Sequence, residues 1–329
     1  MVAFGLGTQR RGHGLDLVIV APFPSYLFCF LDIILCRKAG LGLQRSTFCA
    51  AAKLHPLLLL NSLFLVNVCI LFWLVSLYQQ STWLIDPYWT IAPVLIGHFY
   101  RQYCTGSAPD NARQLVSLAL LWLWSIRLTH SYLRREKWSL GPREDWRYAD
   151  MRAQYGGHWW WMSFFLVYAV QQLMLVGITL PLYSVHASPQ PWKPIWDGAA
   201  AAGCLLGIGI AAVADTQLHE FVTANERRQA AGKPPVLILD TGLWRYSRHP
   251  NYFGEQLWWW SLGLFAVNVG QPWALAGTLF NSLCMVGVTR LTEARMLARP
   301  ERAALFREYQ RRTSVWVPWF QRSCRTKQM

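Results

Sequence analysis

The sequence has few charged residues, and acidic ones are the scarcest. Of its 329 residues, 15% are charged and 53% are hydrophobic, and the mean hydropathy is +0.19. A soluble domain carries about 25% charged residues, so this composition excludes an ordinary soluble multidomain enzyme. Against 17 Asp and Glu stand 31 Lys and Arg, a net charge of +14. That surplus is typical of proteins that bind nucleic acid or an anionic membrane surface. The positions of the basic residues along the chain distinguish the two.

Two motifs that bind metals or nucleotides are also missing. The eight cysteines form no CxxC pair and mostly lie in apolar runs, so we predict buried thiols and no metal site. Gly203, Gly207 and Gly209 lie in an apolar run with no strand before them. We therefore predict that they let membrane helices approach, and that no Rossmann fold is present.

Long apolar runs are the dominant feature of the sequence. A bilayer core about 30 Å thick needs roughly 20 apolar residues in a helix. The runs predict an all-α, polytopic membrane protein with seven or eight transmembrane helices in a single bundle. Prolines within 83–100 predict a broken or re-entrant helix there. The predicted spans are 15–36, 54–78, 83–100, 115–133, 159–183, 195–214, 252–269 and 273–291. The predicted organisation is an N-terminal segment 1–54 with the first helix, a membrane domain 55–320, and a basic tail 321–329.

Basic residues concentrate in the segments 134–158, 215–251 and 292–329. The positive-inside rule places these segments and the C-terminus in the cytosol, and the endoplasmic reticulum is the expected compartment. Tryptophan clusters at 159–161 and 258–260 are typical of bilayer interfaces and helix contacts. Because the basic residues lie at helix ends and form no single soluble face, we expect membrane lipids as partners and no nucleic acid.

The run 240–255, DTGLWRYSRHPNYFGE, passes from a polar loop into an apolar run. Pro250 suits the first position of a helix, where a missing N–H costs nothing. Arg248 and His249 then stand at the helix N-terminus, where cationic donors and free amides favour phosphate. We predict that both contribute to phosphate binding and have little role in folding.

Asn251 and Glu255 follow four residues apart and share a helix face. An amide and a carboxylate are costly at the start of a membrane helix without a polar partner. Either they satisfy each other or a neighbouring helix, or they hold a polar ligand.

The fourteen residues GLWRYSRHPNYFGE closely resemble the signature of the steroid 5-alpha-reductase superfamily, in particular its DUF1295 branch of multi-pass membrane proteins. The resemblance extends over residues 55–320. The shorter RHPxY is shared with sterol reductases and isoprenylcysteine methyltransferases. Supporting matches are Trp122 to Arg127 with Arg134, Arg143 to Tyr148 with Arg152, Asp215 with Gln217 and Phe221, and Tyr309 to Pro318.

The resemblance implies a helical fold that holds NADPH in a cytosol-facing cavity and reduces a carbon–carbon double bond of a lipid, typically a steroid-like enone. The implied cofactor contacts are Arg127, Asp145, Arg147, Tyr148, Asp215, Arg248, His249, Asn251, Tyr252, Glu255 and Arg290. A proton donor is required as well. The candidates are Tyr132, Tyr148 and His249, with Asp86 and Tyr88 added if the span 83–100 lines the pocket.

Two departures from the family pattern leave the substrate open. Trp124 stands where steroid reductases carry a tyrosine, and 293–295 read Glu-Ala-Arg in place of a histidine-rich run. Two alternatives to a reductase therefore remain: an S-adenosylmethionine-dependent membrane methyltransferase of the isoprenylcysteine type, and a non-catalytic membrane protein that keeps the fold. The sequence shows no 2′-phosphate pocket that would select NADPH over NADH.

Overall fold

The structure, a computed structural model, describes residues 54–104, 112–141 and 143–321. All regular structure within these ranges is helical, and they contain no strand, which confirms the all-α prediction. The predicted helix 15–36 and residues 322–329 of the basic tail lie outside the described residues.

We number the main helices of the described ranges α1 to α8. Two of them, α1 and α4, contain π-helical turns at Leu65–Leu71 and Phe164–Ala169, and α4 bends at Gly156, whose φ is +50°. A 3-10 turn, Gly242–Arg245, precedes α6. The helices are α1 Pro56–Gln79, α2 Ile85–Tyr103, α3 Ala112–Arg135, α4 Trp146–Ala187, α5 Pro194–Ala230, α6 Pro250–Asn268, α7 Pro272–Leu297 and α8 Pro300–Arg312.

Four helices, α1, α4, α5 and α7, are long and apolar enough to cross a membrane. The chain is therefore an integral membrane protein. Each of the seven predicted spans that falls on described residues is helical. The count of seven or eight crossings stays a prediction.

Helix α2 runs unbroken from Ile85 to Tyr103, so the prediction of a broken helix over 83–100 was wrong, whereas a re-entrant path there stays a prediction. Pro87 lies in the first turn of α2, where N–H groups have no partner within the helix. Pro93 lies inside the helix and costs it one backbone hydrogen bond. Such losses are tolerated in membrane helices whose neighbours supply polar groups. Ser125 of α3 supplies a polar group in this region, since its hydroxyl donates to the Thr90 carbonyl, next to the Trp89 carbonyl that Pro93 leaves without its helix donor.

Helix α5 is longer than predicted, because it continues from the apolar stretch through the polar residues to Ala230. Its 37 residues span about 55 Å at 1.5 Å per residue. A bilayer core is only about 30 Å thick. Residues 215–230, expected in a connecting segment, are thus helical, and α5 is long enough to project well beyond the apolar layer.

By packing, the chain divides into two compact units at Pro191. The first holds α1 to α4 and the second α5 to α8. The predicted bounds 1–54, 55–320 and 321–329 stay a prediction.

In the second unit, α5 and α6 approach closely through glycines. A Cβ at Gly207 would lie 2.6 Å from the Trp258 nitrogen, and one at Gly254 would lie 2.6 Å from the Ala211 nitrogen. Gly203 faces Ser261 just as closely. The predicted helix-approach role is confirmed for Gly203 and Gly207, whereas a Cβ at Gly209 would have no described residue within 4 Å, and its role stays a prediction.

Candidate functional site

The RHP turn, residues 248–250, is fixed by the chain beyond α8. Pro250 begins α6 and His249 is its N-cap, as the sequence predicts. The backbone nitrogen of Arg248 donates to the Ser314 carbonyl at 2.8 Å, and that of His249 to the Val315 carbonyl at 3.1 Å. Arg248 and His249 are only 9% and 6% exposed. The turn is therefore a buried, doubly held part of the backbone.

The Glu293 carboxylate joins three side chains. Arg248 Nε donates to Oε1 at 2.8 Å and Nη2 to Oε2 at 3.3 Å. His249 Nε2 lies 3.1 Å from Oε1, and Gln310 Nε2 donates to Oε2 at 2.7 Å. We call this set, Arg248, His249, Glu293 and Gln310, the Glu293 node. It ties the RHP turn to α7 and α8.

Arg248 has few donors left for a ligand. Its Nη1 donates to the carbonyls of Gln310 and Thr313, so four of the five guanidinium N–H groups are used within the protein. This holding role was not predicted and contradicts the expectation that Arg248 matters little for folding. A phosphate contact through the remaining N–H stays a prediction.

Asp215 and Asn251 meet where α5 and α6 face each other. The Asn251 amide donates to Asp215 Oδ1 at 3.2 Å. Tyr252 stacks on the His249 ring, with ring centroids 5.0 Å apart and planes 10° apart. Glu255 lies one turn further along α6 and is partly buried. The structure thus brings Asp215 and Asn251 together, with the His249–Tyr252 stack beginning the same helix.

Arg290 is exposed on α7, one turn before Glu293. It belongs to the second unit but is not part of the Glu293 node. Its cofactor contact stays a prediction.

In the first unit, Asp145 and Arg147 pair with each other at the start of α4. Asp145 is the N-cap and accepts the Arg147 backbone N–H at 2.9 Å and its Nε at 2.8 Å, while Nη2 reaches Oδ2 at 3.0 Å. Burial acts to raise the pKa of Asp145, but the hydrogen bonds and charge of Arg147 outweigh it and hold that pKa below its usual value. The carboxylate is therefore ionised at neutral pH and caps the helix.

Glu144, next in the same loop, holds the connection between α1 and α2. Its Oε1 accepts the Thr82 backbone N–H at 2.9 Å and the Thr82 hydroxyl at 2.7 Å. Arg152 donates to the same oxygen at 2.7 Å. These contacts give the charges of Glu144 and Arg152 partners within the protein.

Tyr148 is a candidate for both proton donation and cofactor contact. Its hydroxyl is oriented by Gln171, further along α4, which in turn is held by Trp89 of α2. Gln171 Nε2 donates to the Tyr148 hydroxyl at 2.9 Å, and the Trp89 indole donates to Gln171 Oε1. Since the hydroxyl accepts here, its own proton is available to another group. This is the arrangement that a proton donor needs.

The other first-unit candidates lie on α3. Tyr132 is 8% exposed, and its ring centroid is 5.5 Å from the Arg135 guanidinium. Arg127 is partly buried, less than two turns earlier. The two further proton-donor candidates lie on α2. The Tyr88 hydroxyl is buried and accepts from the Asn67 amide at 3.0 Å, and Asp86 lies in the first turn of the helix.

An apolar groove of about 430 Å³ runs between α2 and α3. A histidine–tryptophan pair stands at each end. Trp122 donates to His98 Nε2 at 2.9 Å, and the rings of His130 and Trp138 lie 6.0 Å apart, edge to face. Trp138 reaches this place with a φ of +59°, an uncommon conformation for an aromatic residue. The aliphatic side chains of the groove wall are Ile91, Val94, Leu95, Ile126 and Leu133.

Fold and sites together define a helical integral membrane protein whose polar side chains gather at the ends of apolar helices. The sequence profile of a family described as protein of unknown function (DUF1295) matches residues 72–313. The chain belongs to this family, as the resemblance implies. An uncharacterized protein of Schizosaccharomyces pombe is 31% identical over 278 residues, which cover 79% of this chain and 78% of the relative. No solved structure matches the chain.

Sequence reasoning missed Glu293 and Gln171 as site residues. Glu293 carries a visible signal, a lone carboxylate near the end of an otherwise apolar and basic helix. Gln171 carries a weaker one, a polar pair with Gln172 inside the apolar run 159–183. In both cases the partner is distant in sequence, so only the fold identifies it.

Proposed function

We propose that this chain is a membrane-embedded, NADPH-dependent reductase of a carbon–carbon double bond in a steroid-like or other lipid. The observation that carries the proposal is the amide–carboxylate contact between Asn251 and Asp215, with Glu255 one turn away, at the start of an apolar helix. Polar groups in such a place are costly and mark functional sites. Their chemistry fits a carboxamide, which offers N–H to a carboxylate and a carbonyl to an amide.

The residues present fit the two ends of such a cofactor. Asn251 and Glu255 would hold the nicotinamide carboxamide. Arginine and lysine side chains of the basic segments around the RHP turn would hold the phosphates. When bound, NADPH supplies a hydride to one carbon of the double bond. The Glu293 node fixes the turn from which Asn251 and Glu255 project, so it sets the position of both side chains.

For the proton that must reach the other carbon, we infer that Tyr148 is the donor. Its hydroxyl is held as an acceptor by Gln171 and can pass on its own proton. His249 is less suited, because its Nε2 lies against Glu293 and its ring is stacked on Tyr252. Those contacts suit a positioning residue.

The apolar groove supports a lipid substrate. Its volume of about 430 Å³ lies within the usual range of ligand pockets, about 300–1,000 Å³. Its walls are aliphatic, and its histidine and tryptophan ends could meet a polar substituent. A hydrocarbon or fused-ring lipid with one polar end has this character.

Glu255→Gln tests the cofactor site. The near-isosteric change should keep the fold, but it should remove the carboxylate that accepts the carboxamide N–H. We expect the rate of NADPH-dependent reduction to fall by about a hundredfold, because small misplacements of reacting groups cost that much. Saturating NADPH at about 100 times Kd should stabilise the wild type by about 2.7 kcal/mol, and the variant by less. The measurement is thermal unfolding of purified protein with and without NADPH.

The matched control is Glu220→Gln, an exposed carboxylate on α5, which should respond to NADPH as the wild type does. Equal ligand-induced shifts in Glu255→Gln and wild type, with a lower starting melting temperature for the variant, would make Glu255 structural. S-adenosylmethionine serves as a third condition. Stabilisation by it and not by NADPH would replace the reductase with the methyltransferase alternative.

We propose that the protein resides in the endoplasmic reticulum with a cytosolic C-terminus, which the basic residues of α8 and the tail support. A C-terminal tag on protein in sealed microsomes should be digested by added protease without detergent. A tag placed in the loop 188–193, which carries one lysine, should be protected. Protection of the C-terminal tag until detergent is added would contradict this topology and the cytosolic route for the cofactor.

A further inference from the structure

A second cavity, of about 280 Å³, lies in the second unit between the end of α8 and the segment after it, and Arg248 is part of its lining. Three arginines line it, Arg248, Arg311 and Arg312, with Ser314 and the aromatic residues Trp319 and Phe320. Arginine side chains with exposed aromatic rings are the groups that recognise a phosphate next to a planar base.

The arginines retain donors for a ligand. Arg311 is exposed and has no carboxylate partner among the described residues. Arg312 pairs with Asp240 through Nη2, yet its Nε is buried and has no acceptor in the part of the chain that the structure describes. A buried guanidinium donor without an acceptor is costly, so a bound acceptor would remove that cost. Arg248 adds one further N–H, for which the described residues provide no acceptor.

The aromatic rings stand on a fixed backbone. The Trp319 nitrogen donates to the Tyr246 carbonyl at 2.9 Å, and the Ser314 hydroxyl donates to the same carbonyl at 2.7 Å. Phe320 contacts the Tyr246 ring edge to face at 6.3 Å. Even so, Trp319 and Phe320 are 67% and 79% exposed. Large rings that are held in place and still exposed are available for stacking.

We propose that this cavity binds a phosphate monoester next to a purine, namely the 2′-phosphoadenosine end of NADPH, and that it makes the protein select NADPH over NADH. The proposal rests on the proposed function and deepens it. Arg248 lines the cavity and also pairs with Glu293, so the cavity shares a residue with the Glu293 node, three residues before Asn251 in the chain. Arg311 and the Arg312 Nε receive the phosphate, and Trp319 stacks on the base. The cavity is too small for a whole dinucleotide, which suits an end-group site.

The test compares Arg311→Gln with Arg307→Gln, an exposed arginine one turn earlier on α8 and outside the cavity. Dissociation constants for NADPH, NADH and adenosine 2′,5′-bisphosphate are measured by calorimetry in phosphatidylcholine nanodiscs. Losing one charge-assisted contact should weaken NADPH and the bisphosphate about tenfold to a hundredfold in Arg311→Gln. NADH should bind wild type and both variants alike, and Arg307→Gln should match the wild type for all three ligands.

Each other outcome has a definite meaning. Equal wild-type affinity for NADPH and NADH, or equal losses in the two variants, overturns this cavity assignment and leaves the reductase in place. If neither dinucleotide binds, the proposed function fails. Binding of the bisphosphate that weakens in Arg311→Gln but not in Arg307→Gln would then still support the cavity as a phosphate site, and no such difference would contradict it. Phosphatidylserine nanodiscs separate the two sources of phosphate. Loss of bisphosphate binding there would assign the arginines to lipid headgroups and overturn the proposal.

Discussion

Replacing Glu293 by glutamine is expected to lower the free energy of unfolding by about 3 kcal/mol or more. The change leaves the Arg248 guanidinium buried without its counter-charge, and breaking a buried ion pair from one side typically costs about 3–5 kcal/mol. The two side chains are 9% and 14% exposed, so solvent screens them little. Glutamine keeps one acceptor oxygen, which places the expected loss near the lower end. Thermal unfolding of the purified protein in detergent measures it.

Glu308→Gln is the control, since Glu308 is exposed on α8 and exposed substitutions usually change stability by less than about 0.5 kcal/mol. A double variant, Arg248→Met with Glu293→Met, removes both charges and should recover much of the loss, because apolar replacements of a buried pair are often neutral. If Glu293→Gln and Glu308→Gln unfold at the same temperature, the Glu293 node does not stabilise the fold.

Alanine at Gly207 and alanine at Gly209 are expected to change stability in opposite directions. At Gly207 the new methyl group would meet backbone of α6, 2.6 Å and 2.7 Å away, and backbone cannot rotate aside as a side chain can. The helices must separate, which costs about 1–3 kcal/mol. At Gly209 the new methyl group would meet no described residue within 4 Å, and alanine favours the helix by up to about 1 kcal/mol.

Because the two glycines differ by two positions on one helix, the comparison cancels effects of expression, detergent and helix propensity. The measured quantity is the melting temperature of each variant against wild type. The proposed NADPH site should bind more weakly in Gly207→Ala as well, since Asp215 on α5 contacts Asn251 on α6 and the change moves these two helices apart. Equal melting temperatures for the two variants would show that the α5–α6 approach is looser than the glycine distances indicate.

The sequence predicts the helices well where the signal is apolar length. All seven described spans are helical for that reason. The sequence does not predict the extent of two helices, α2 and α5, because apolar length does not determine where they continue. Helix α2 continues past Pro93 in packed surroundings that the local sequence does not show, and the extension of α5 to Ala230 lies in polar residues without apolar periodicity.

Within the candidate site, features set by neighbouring residues are predictable from the sequence, and contacts between residues far apart in the sequence are not. A helix starting at Pro250 follows from the sequence itself, and so does the shared face of Asn251 and Glu255. The partner of Arg248 is 45 residues away, and nothing local to the RHP turn identifies a glutamate on another helix as its counter-charge. The fold is needed to show that a residue expected at a phosphate is already held within the protein.

The pairing of residues 314 and 315 with the RHP turn sets an order of events during biosynthesis. The turn begins at residue 248, but the carbonyls that hold it belong to residues 314 and 315, 66 residues later in each case. While that part is still inside the ribosome, the upstream helices can enter the membrane, yet the turn lacks its backbone partners. The turn therefore gains its backbone partners only after residues 314 and 315 have left the ribosome, and a nascent chain that stalls before residue 314 lacks them.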